Sequence, residues 1–247
     1  MSQAQLSKAD AQVLAQVFDP ESAPTKVEVI IDPELPTDRH VQDQEKLSQL
    51  KAREKEAISL IDEAEKQKST KETAYRDALS ILDDLIEANP DYASARNNRA
   101  QLRRWMYGDR NTLCQTRSRR DLERQSAGEA AVTDLQSCIE FASPARQQDA
   151  VSPSQGRLLA QAFTQLGALY YAASKDLDRD PAAESVDFGG EVWSQSRFEE
   201  EASRLFYLGG LYGNEVAKAL AVHTNPHAKL CGSIVKEAMR KELAAAP

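Results

Sequence analysis

Nine arginines, Arg96, Arg99, Arg103, Arg104, Arg110, Arg117, Arg119, Arg120 and Arg124, crowd into 29 residues that hold only three acids, Asp109, Asp121 and Glu123. A guanidinium fork grips a carboxylate through two parallel hydrogen bonds, so such a cluster can dock an acidic segment of another protein. Arg103, Arg104, Arg117, Arg119 and Arg120 are the candidates for that basic docking patch. The same side chains can instead face acids of their own chain, with Asp62, Glu63 and Glu65 as the expected counter-charges, or solvate a loop. Nucleic acid ranks third and is not expected as a partner, because interleaved aromatics are limited to Trp105 and Tyr107.

Other reactive side chains form weaker patterns. His223 and His227 stand four apart with Cys231 four further on. Two ligands at that spacing need one continuous helix, which Pro226 interrupts, and a zinc site from these three would lack a fourth ligand. A capped helix junction is the simpler reading, and no metal is expected. No Ser/His/Asp ordering, HExxH, phosphate-cradling Gly-rich loop or paired catalytic carboxylates occurs. The glycine pairs at 189–190 and 209–210 follow no predicted strand and are no dinucleotide fingerprint. The expectation is a non-enzyme with no catalytic residue, no cofactor and no small-molecule substrate.

The 247 residues carry a net charge of -8, so everything outside the arginine cluster is strongly acidic. That balance disfavours nucleic acid and favours a soluble protein. No run of about 18 apolar residues is present, so no membrane span is expected. Residues 1–20 lack a basic start followed by an apolar core, so no signal peptide is expected. Cys114, Cys138 and Cys231 are odd in number and far apart. They fit a reducing compartment, and a cytoplasmic location (or a nuclear one) is expected. Abundant Ala and Leu with few aromatics favour helices, and an all-α fold is expected.

The elements that would position these residues follow from periodicity. Residues 7–18 read as an amphipathic helix, capped by Ser7, with Val13, Leu14, Val17 and Phe18 on one face. They are expected to pack back on the remainder, so that deleting residues 1–20 lowers the melting temperature. Pro20, Pro24, Pro33 and Pro36 make residues 20–37 an extended strap around VEVII, with no evident strand partner. Residues 38–68 read as a charged helix with a weak stripe at Leu47, Leu50, Ile58, Leu60 and Ile61. Its partner at 72–88 carries Tyr75, Ala78, Leu82, Leu85 and Ile86 inward. Further helices are expected from Ala93, at 128–142 with Ala131, Leu135, Cys138 and Ile139 inward, at 154–174, and from Arg197 to Leu208. The last of these should end at Gly209-Gly210. Two loop inserts are expected, near 110–127 and 175–196, the second from its Asp-Pro and Gly-Gly turn signals. Residues 213–223 and 226–244 read as capping helices, broken at Asn225-Pro226.

The spacing of small residues and prolines adds a repeat. Ala78 precedes Pro90 by twelve, the interval from the small residue of a second helix to the closing proline of a tetratricopeptide repeat. Ala100 stands at the small position of the next first helix. Phe163, Leu166, Gly167 and Tyr170 reproduce the aromatic, Leu-Gly and Tyr positions of a third. The fold expected is therefore a right-handed tetratricopeptide-repeat solenoid. Residues 1–37 would form the N-terminal helix and strap, 38–212 three divergent repeats, and 213–247 a C-terminal helical cap.

With those pieces in order, the chain resembles the tetratricopeptide repeat protein 36 family, as an insert-bearing member of fungal type. Four stretches carry the resemblance: AQVLAQVFDPESAP at 11–24, NPDYASARNNRAQLRR at 89–104, FEEEASRLF at 198–206 and NPHAKLCGSIVKEAM at 225–239. The two inserts depart from the compact family pattern. The resemblance implies a non-enzymatic scaffold or adaptor that holds a protein partner, with links to an enzyme of tyrosine metabolism and to Hsp70-type chaperones.

A repeat groove is lined by the first helix of each pair. Asn97, Asn98, Gln101, Trp105, Gln161, Gln165 and Tyr170 are the groove candidates. A clamp for an acidic C-terminal tail would place Asn at 98 and Lys and Arg at 161 and 165; only Asn98 matches. An Hsp70 or Hsp90 co-chaperone that binds such a tail is therefore the alternative function. For Asn98 itself an interhelical hydrogen bond is the simpler reading.

Overall fold

A computed structural model describes residues 29–66, 70–115, 121–146, 149–179 and 185–225. They form seven helices and one hairpin: α1 Gln44–Glu65, α2 Lys71–Ala88, α3 Ala93–Tyr107, α4 Leu122–Ala142, α5 Pro153–Asp178, β1 Ser185–Phe188, β2 Glu191–Ser194, α6 Gln195–Leu211 and α7 Glu215–Thr224. No described helix is long and apolar enough to cross a membrane. The expected helix at 7–18, the helix at 226–244, Arg117, Arg119, Arg120, His227 and Cys231 lie outside the described residues, as does the effect of deleting residues 1–20.

Consecutive helices pack on one another: α1 on α2, α3 on α4, α5 on α6, with α2–α3, α4–α5 and α6–α7 contacts linking the pairs. Two apolar clusters result. One gathers Leu47, Leu50 and Ala57 of α1, Ala78, Leu82, Leu85 and Ile86 of α2, and Ala95 and Leu102 of α3. The larger one takes Ala93 and Ala100 of α3, then Leu135 and Cys138 of α4, Leu159, Leu166 and Leu169 of α5, and Phe198, Leu205 and Phe206 of α6. Helix α3 is thus the shared wall. Positions seven apart lie on one helix face, so Ala93/Ala100 and Ala95/Leu102 point to opposite sides. Ala78 and Ala100 are wholly buried. Their lack of side-chain volume lets the partner helices approach.

Helix boundaries follow local capping. Asp43, Thr70, Asp121, Ser152, Ser194 and Asn214 each accept a first-turn N–H at the start of their helix. Ser152 and Gln155 complete a reciprocal capping box. Helix α3 differs: Tyr92 precedes it and makes no side-chain cap.

Several sequence expectations change. Helix α1 starts at Gln44, because Asp38 accepts hydrogen bonds from the His40 and Val41 N–H groups in a turn instead. Helix α4 starts at its Asp121 cap, which removes the end of the first expected insert. Gly209 and Gly210 do not end a helix; they lie within α6. A Cβ on Gly209 would stand 2.8 Å from Thr164 Oγ1, and one on Gly210 would stand 2.7 Å from Lys218 Cγ. The pair therefore marks the close crossings of α6 with α5 and α7. The strap has a partner: Ile31 bridges Val151 in parallel, with Asp32 N–H to Val151 O and Val151 N–H to Ile30 O both at 2.9 Å. Residues 185–194 form an antiparallel hairpin, not a loop. The described residues are mostly helical, and this hairpin and the Ile31–Val151 bridge depart from the all-α expectation.

Candidate functional site

The polar residues singled out on the first helices of the pairs do meet, but as staples between helices. On α3, Asn97 is only 1 % exposed. Its Nδ2 donates to Gln161 Oε1 on α5 at 3.4 Å, and its Oδ1 accepts from Gln165 Nε2 at 2.9 Å. Gln165 Oε1 in turn accepts from Arg104 at 3.0 Å. Asn98 turns the other way and donates to Glu54 Oε1 of α1 at 2.8 Å. Trp105 Nε1 donates to Glu65 Oε1 at 3.1 Å, and Lys71 Nζ lies 4.8 Å from the Trp105 ring centre. A line of side-chain bonds thus runs from α1 through α3 to α5. Gln101 is exposed on the same helix.

Tyr170 does not belong to this line. It is 4 % exposed and packs edge-on against Phe188, Trp193 and Phe198. Its hydroxyl meets Gln136 Nε2 of α4 at 3.4 Å. The aromatic position is a core position, and the groove assignment of Tyr170 is corrected.

The basic patch is likewise consumed within the chain, where it is described. Asp134 of α4 is 2 % exposed and receives Arg99 through both carboxylate oxygens, at 2.9 and 2.6 Å. Arg103 bonds the same carboxylate, and Arg96 Nη1 lies 3.8 Å from it. Arg99 also reaches Asp83 of α2 at 2.6 Å. Arg104 pairs with Asp109, Arg110 with buried Asp176, and Arg124 with Asp121. Arg103 and Arg104 are therefore structural, and the docking role expected of them is corrected. Their partners are Asp134 and Asp109, not the acidic run at 62–65, because α4 packs across the face of α3 that carries them.

Glu54, absent from the sequence candidates, is the second buried carboxyl of this face. It is 6 % exposed and accepts from Tyr92 Oη at 2.6 Å besides Asn98. Burial raises its pKa above the usual carboxylate value, against the opposing pull of the Tyr92, Ser94 and Asn98 hydrogen bonds and of Lys51. The same burial, helped by Glu54, raises the Tyr92 phenol. A carboxyl that binds its proton more readily when folded contributes stability that is complete below the ordinary glutamate value and is lost as pH rises through the folded one. Glu54→Gln keeps an acceptor for Tyr92, presents an N–H to Asn98, whose amide must turn over to accept it, and removes the buried charge. It is expected to melt slightly above the parent at neutral pH, and the gap should close near about pH 4. Melting curves at the two pH values check this; a variant that melts below the parent at neutral pH would mean that the ionised form is the stabilised one.

The thiols offer no nucleophile among the described residues. Cys114 and Cys138 are buried, and burial pushes both up to about 12, so they stay protonated at neutral pH. No group of three His, Cys, Asp or Glu able to hold a metal ion occurs among the described residues. His223 stacks edge-on with Tyr171.

Beside the staples opens a pocket of about 220 Å³, between the strap, the flank of α1, the start of α3, the end of α4 and the start of α5. Leu47, Tyr92, Phe141 and Leu158 give it apolar walls.

Among known proteins, the chain is 37% identical over 250 residues to the L-tyrosine degradation gene cluster protein hmgX of Aspergillus fumigatus, covering 98% of this chain and 95% of that protein. No family model matches the chain, and no solved structure matches it.

Proposed function

The chain belongs to the family of the L-tyrosine degradation gene cluster protein hmgX, and from that premise we propose that it is a non-enzymatic adaptor holding or stabilising an enzyme of tyrosine breakdown. The observation that carries the reading is the near full-length relationship to a protein named for that gene cluster, on a chain built of consecutive helix pairs. We read α1/α2, α3/α4 and α5/α6 as three tetratricopeptide repeats, with α7 starting the cap. The Ala78-to-Pro90 interval and the Phe163, Leu166, Gly167, Tyr170 register support that reading. Such repeats present the first helix of each pair to a partner, and here that face carries Gln101, Trp105 and the stapled Asn98 and Gln161. The staples hold the surface in one shape before a partner arrives, which lowers the ordering cost of binding. The chaperone alternative draws no support from the clamp positions, since Asn98, Gln161 and Gln165 are spent between helices.

The test is co-elution of the purified chain with each purified enzyme of L-tyrosine degradation from the same organism. One of them is expected to form a stable complex. Gln101→Glu, at an exposed side chain, should weaken it by about tenfold or more, the 1.4 kcal/mol that an unpaired charge at an interface exceeds, with little change in melting. Failure of every enzyme to co-elute would defeat the reading, and turnover of a metabolite by the chain alone would replace it with an enzymatic one.

A further inference from the structure

The pocket between the strap and the helix starts has a charge pattern that the fold does not use. Of the described arginines, Arg53, Arg76, Arg96, Arg99, Arg103, Arg104, Arg110, Arg124, Arg146, Arg197 and Arg204 each pair with a described carboxylate. Only Arg39, Arg157 and Arg179 do not. Two of those three, Arg39 and Arg157, line this one pocket, and Lys51, also without a described ion pair, lines it with them. In a chain of net charge -8, two guanidiniums and an ammonium with no described ion-pair contact, set against one lining acid, Asp38, give this cavity a net positive wall.

Their existing bonds leave the charge in place. Arg39 donates to the Ser143 carbonyl and Arg157 to Ser154 Oγ at 3.2 Å, both neutral acceptors. The acid that also lines the pocket, Asp38, accepts from the N–H groups of His40 and Val41, at 2.8 and 2.9 Å, and offsets one of the three cations, which leaves an excess of two. Nearby Glu54 accepts its hydrogen bonds from Tyr92 and Asn98 and meets Lys51 only as a charge, without an ion-pair contact. Ala93 and Ser94, the start of uncapped α3, add the positive end of a helix dipole to the same wall.

The walls define the rest of the ligand. The half-buried Leu158 and Phe141 give the cavity its apolar side, with Leu47 and Tyr92 buried behind them. A volume of 220 Å³ is about seven waters' worth of liquid. That is room for a small organic acid. We propose that this pocket binds a small free carboxylate carried on an apolar or aromatic body, its acid group held by Lys51, Arg157 and Arg39 and its body against Phe141 and Leu158. Of the positions of a tetratricopeptide tail clamp, Gln161 lines this pocket, while Asn98 and Gln165 do not. The inference needs no protein partner and so stands apart from the adaptor reading.

The experiment is calorimetric titration of the full chain with 3-phenylpropionate, beside its neutral amide, at low and at high salt. Saturable binding of the acid is expected, with the amide at least about tenfold weaker and the acid's affinity falling with salt. Lys51→Gln with Arg157→Gln should weaken the acid by about tenfold or more. Both side chains are exposed, so the double variant should keep its melting temperature. No saturable binding, equal binding of acid and amide, or an undiminished affinity in a folded double variant would each overturn the proposal. So would a peptide ending in a free phenylalanine carboxylate that displaces the acid and binds about tenfold tighter, since the ligand would then be a chain end. Binding with failed co-elution of every enzyme would retire the adaptor and leave the pocket standing.

Discussion

Asp134→Asn is expected to lower the stability of the chain by about 3–5 kcal/mol, the usual cost of removing one partner from a buried charge cluster. At the slope usual for chains of 150–250 residues that is a fall in melting temperature on the order of 10 °C. The carboxylate is 2 % exposed and takes two bonds from Arg99 and one from Arg103, with Arg96 3.8 Å away. Without it, three guanidinium groups, none more than 17% exposed in their side chains, face one another with only Asp83 as a described counter-charge. The effect should be local as well as global. Asp134 ties α4 to α3, and α3 carries the staples to α1 and α5, so amide exchange should rise first in α3. A triple variant, Asp134→Leu with Arg99→Met and Arg103→Met, should recover most of the loss, because it removes the carboxylate with its two hydrogen-bonded arginines and leaves Arg96 on the Pro90 carbonyl. If Asp134→Asn melts within a degree or two of the parent, apolar packing alone holds the α3–α4 junction.

The buried carboxyls of α1 and α4, Glu54 and Asp134, can be found in the amino-acid pattern once the right stripe is counted. Leu47, Leu50, Glu54 and Ala57 follow 3-4-3 spacing, so Glu54 sits on the buried face of α1 and not on its solvent side. Asp134 stands three after Ala131 and four before Cys138 on the buried face of α4. A carboxylate on such a stripe must find a donor or a cation. The arginine cluster one helix away then has an internal purpose, and a reading of that cluster alone could not see it. Counting arginines gives a net excess of charge; the packing of α4 across α3 decides where the excess goes. The helix pairs were legible because Ala78, Ala100 and Gly167 mark close crossings and Pro90 and Pro144 mark the turns. The unstapled pocket was not legible, since Arg39, Lys51 and Arg157 come from three separate segments. Their convergence depends on the strap returning to Val151, a single backbone bridge with no side-chain signature.

Tyr170 shows a different failure. An aromatic residue at the right register of a repeat predicts position along the helix but not what covers that face. Here the cover is the hairpin of β1 and β2, which itself carries a readable signal: Val186 and Phe188 alternate before Gly189-Gly190, and Val192 and Trp193 follow. Both glycines have positive φ, 64° and 81°, the conformation that a two-residue hairpin turn requires. Reading the glycines as loop signals, without the flanking alternation, lost the hairpin and with it the burial of Tyr170.

Phe198→Ala should therefore do more than open a cavity. Phe198 is wholly buried, and its ring centre lies 4.8 Å from Trp193, 5.6 Å from Phe188 and 5.8 Å from Tyr170. Truncating a buried Phe costs about 3–5 kcal/mol by itself. A lone two-stranded hairpin is marginal in water, so β1 and β2 persist because their inner aromatics are anchored on α5 and α6. Removing the anchor should free the hairpin below the global melting transition. In a Trp105→Phe background Trp193 is the sole tryptophan, and its emission should shift to the red while the helical circular dichroism signal is still intact. Val192→Ser, on the outer face where Val192 is 69% exposed, should leave both signals unchanged. A single transition in Phe198→Ala, with tryptophan emission and helix content lost together, would show that the hairpin is held by its own strand pairing. A separate early transition would make α5 and α6 the platform and the hairpin a dependent flap on the face of Tyr170 turned away from the staples. On that outcome, changes to the hairpin should leave the α1–α3–α5 face and the affinity measured there untouched.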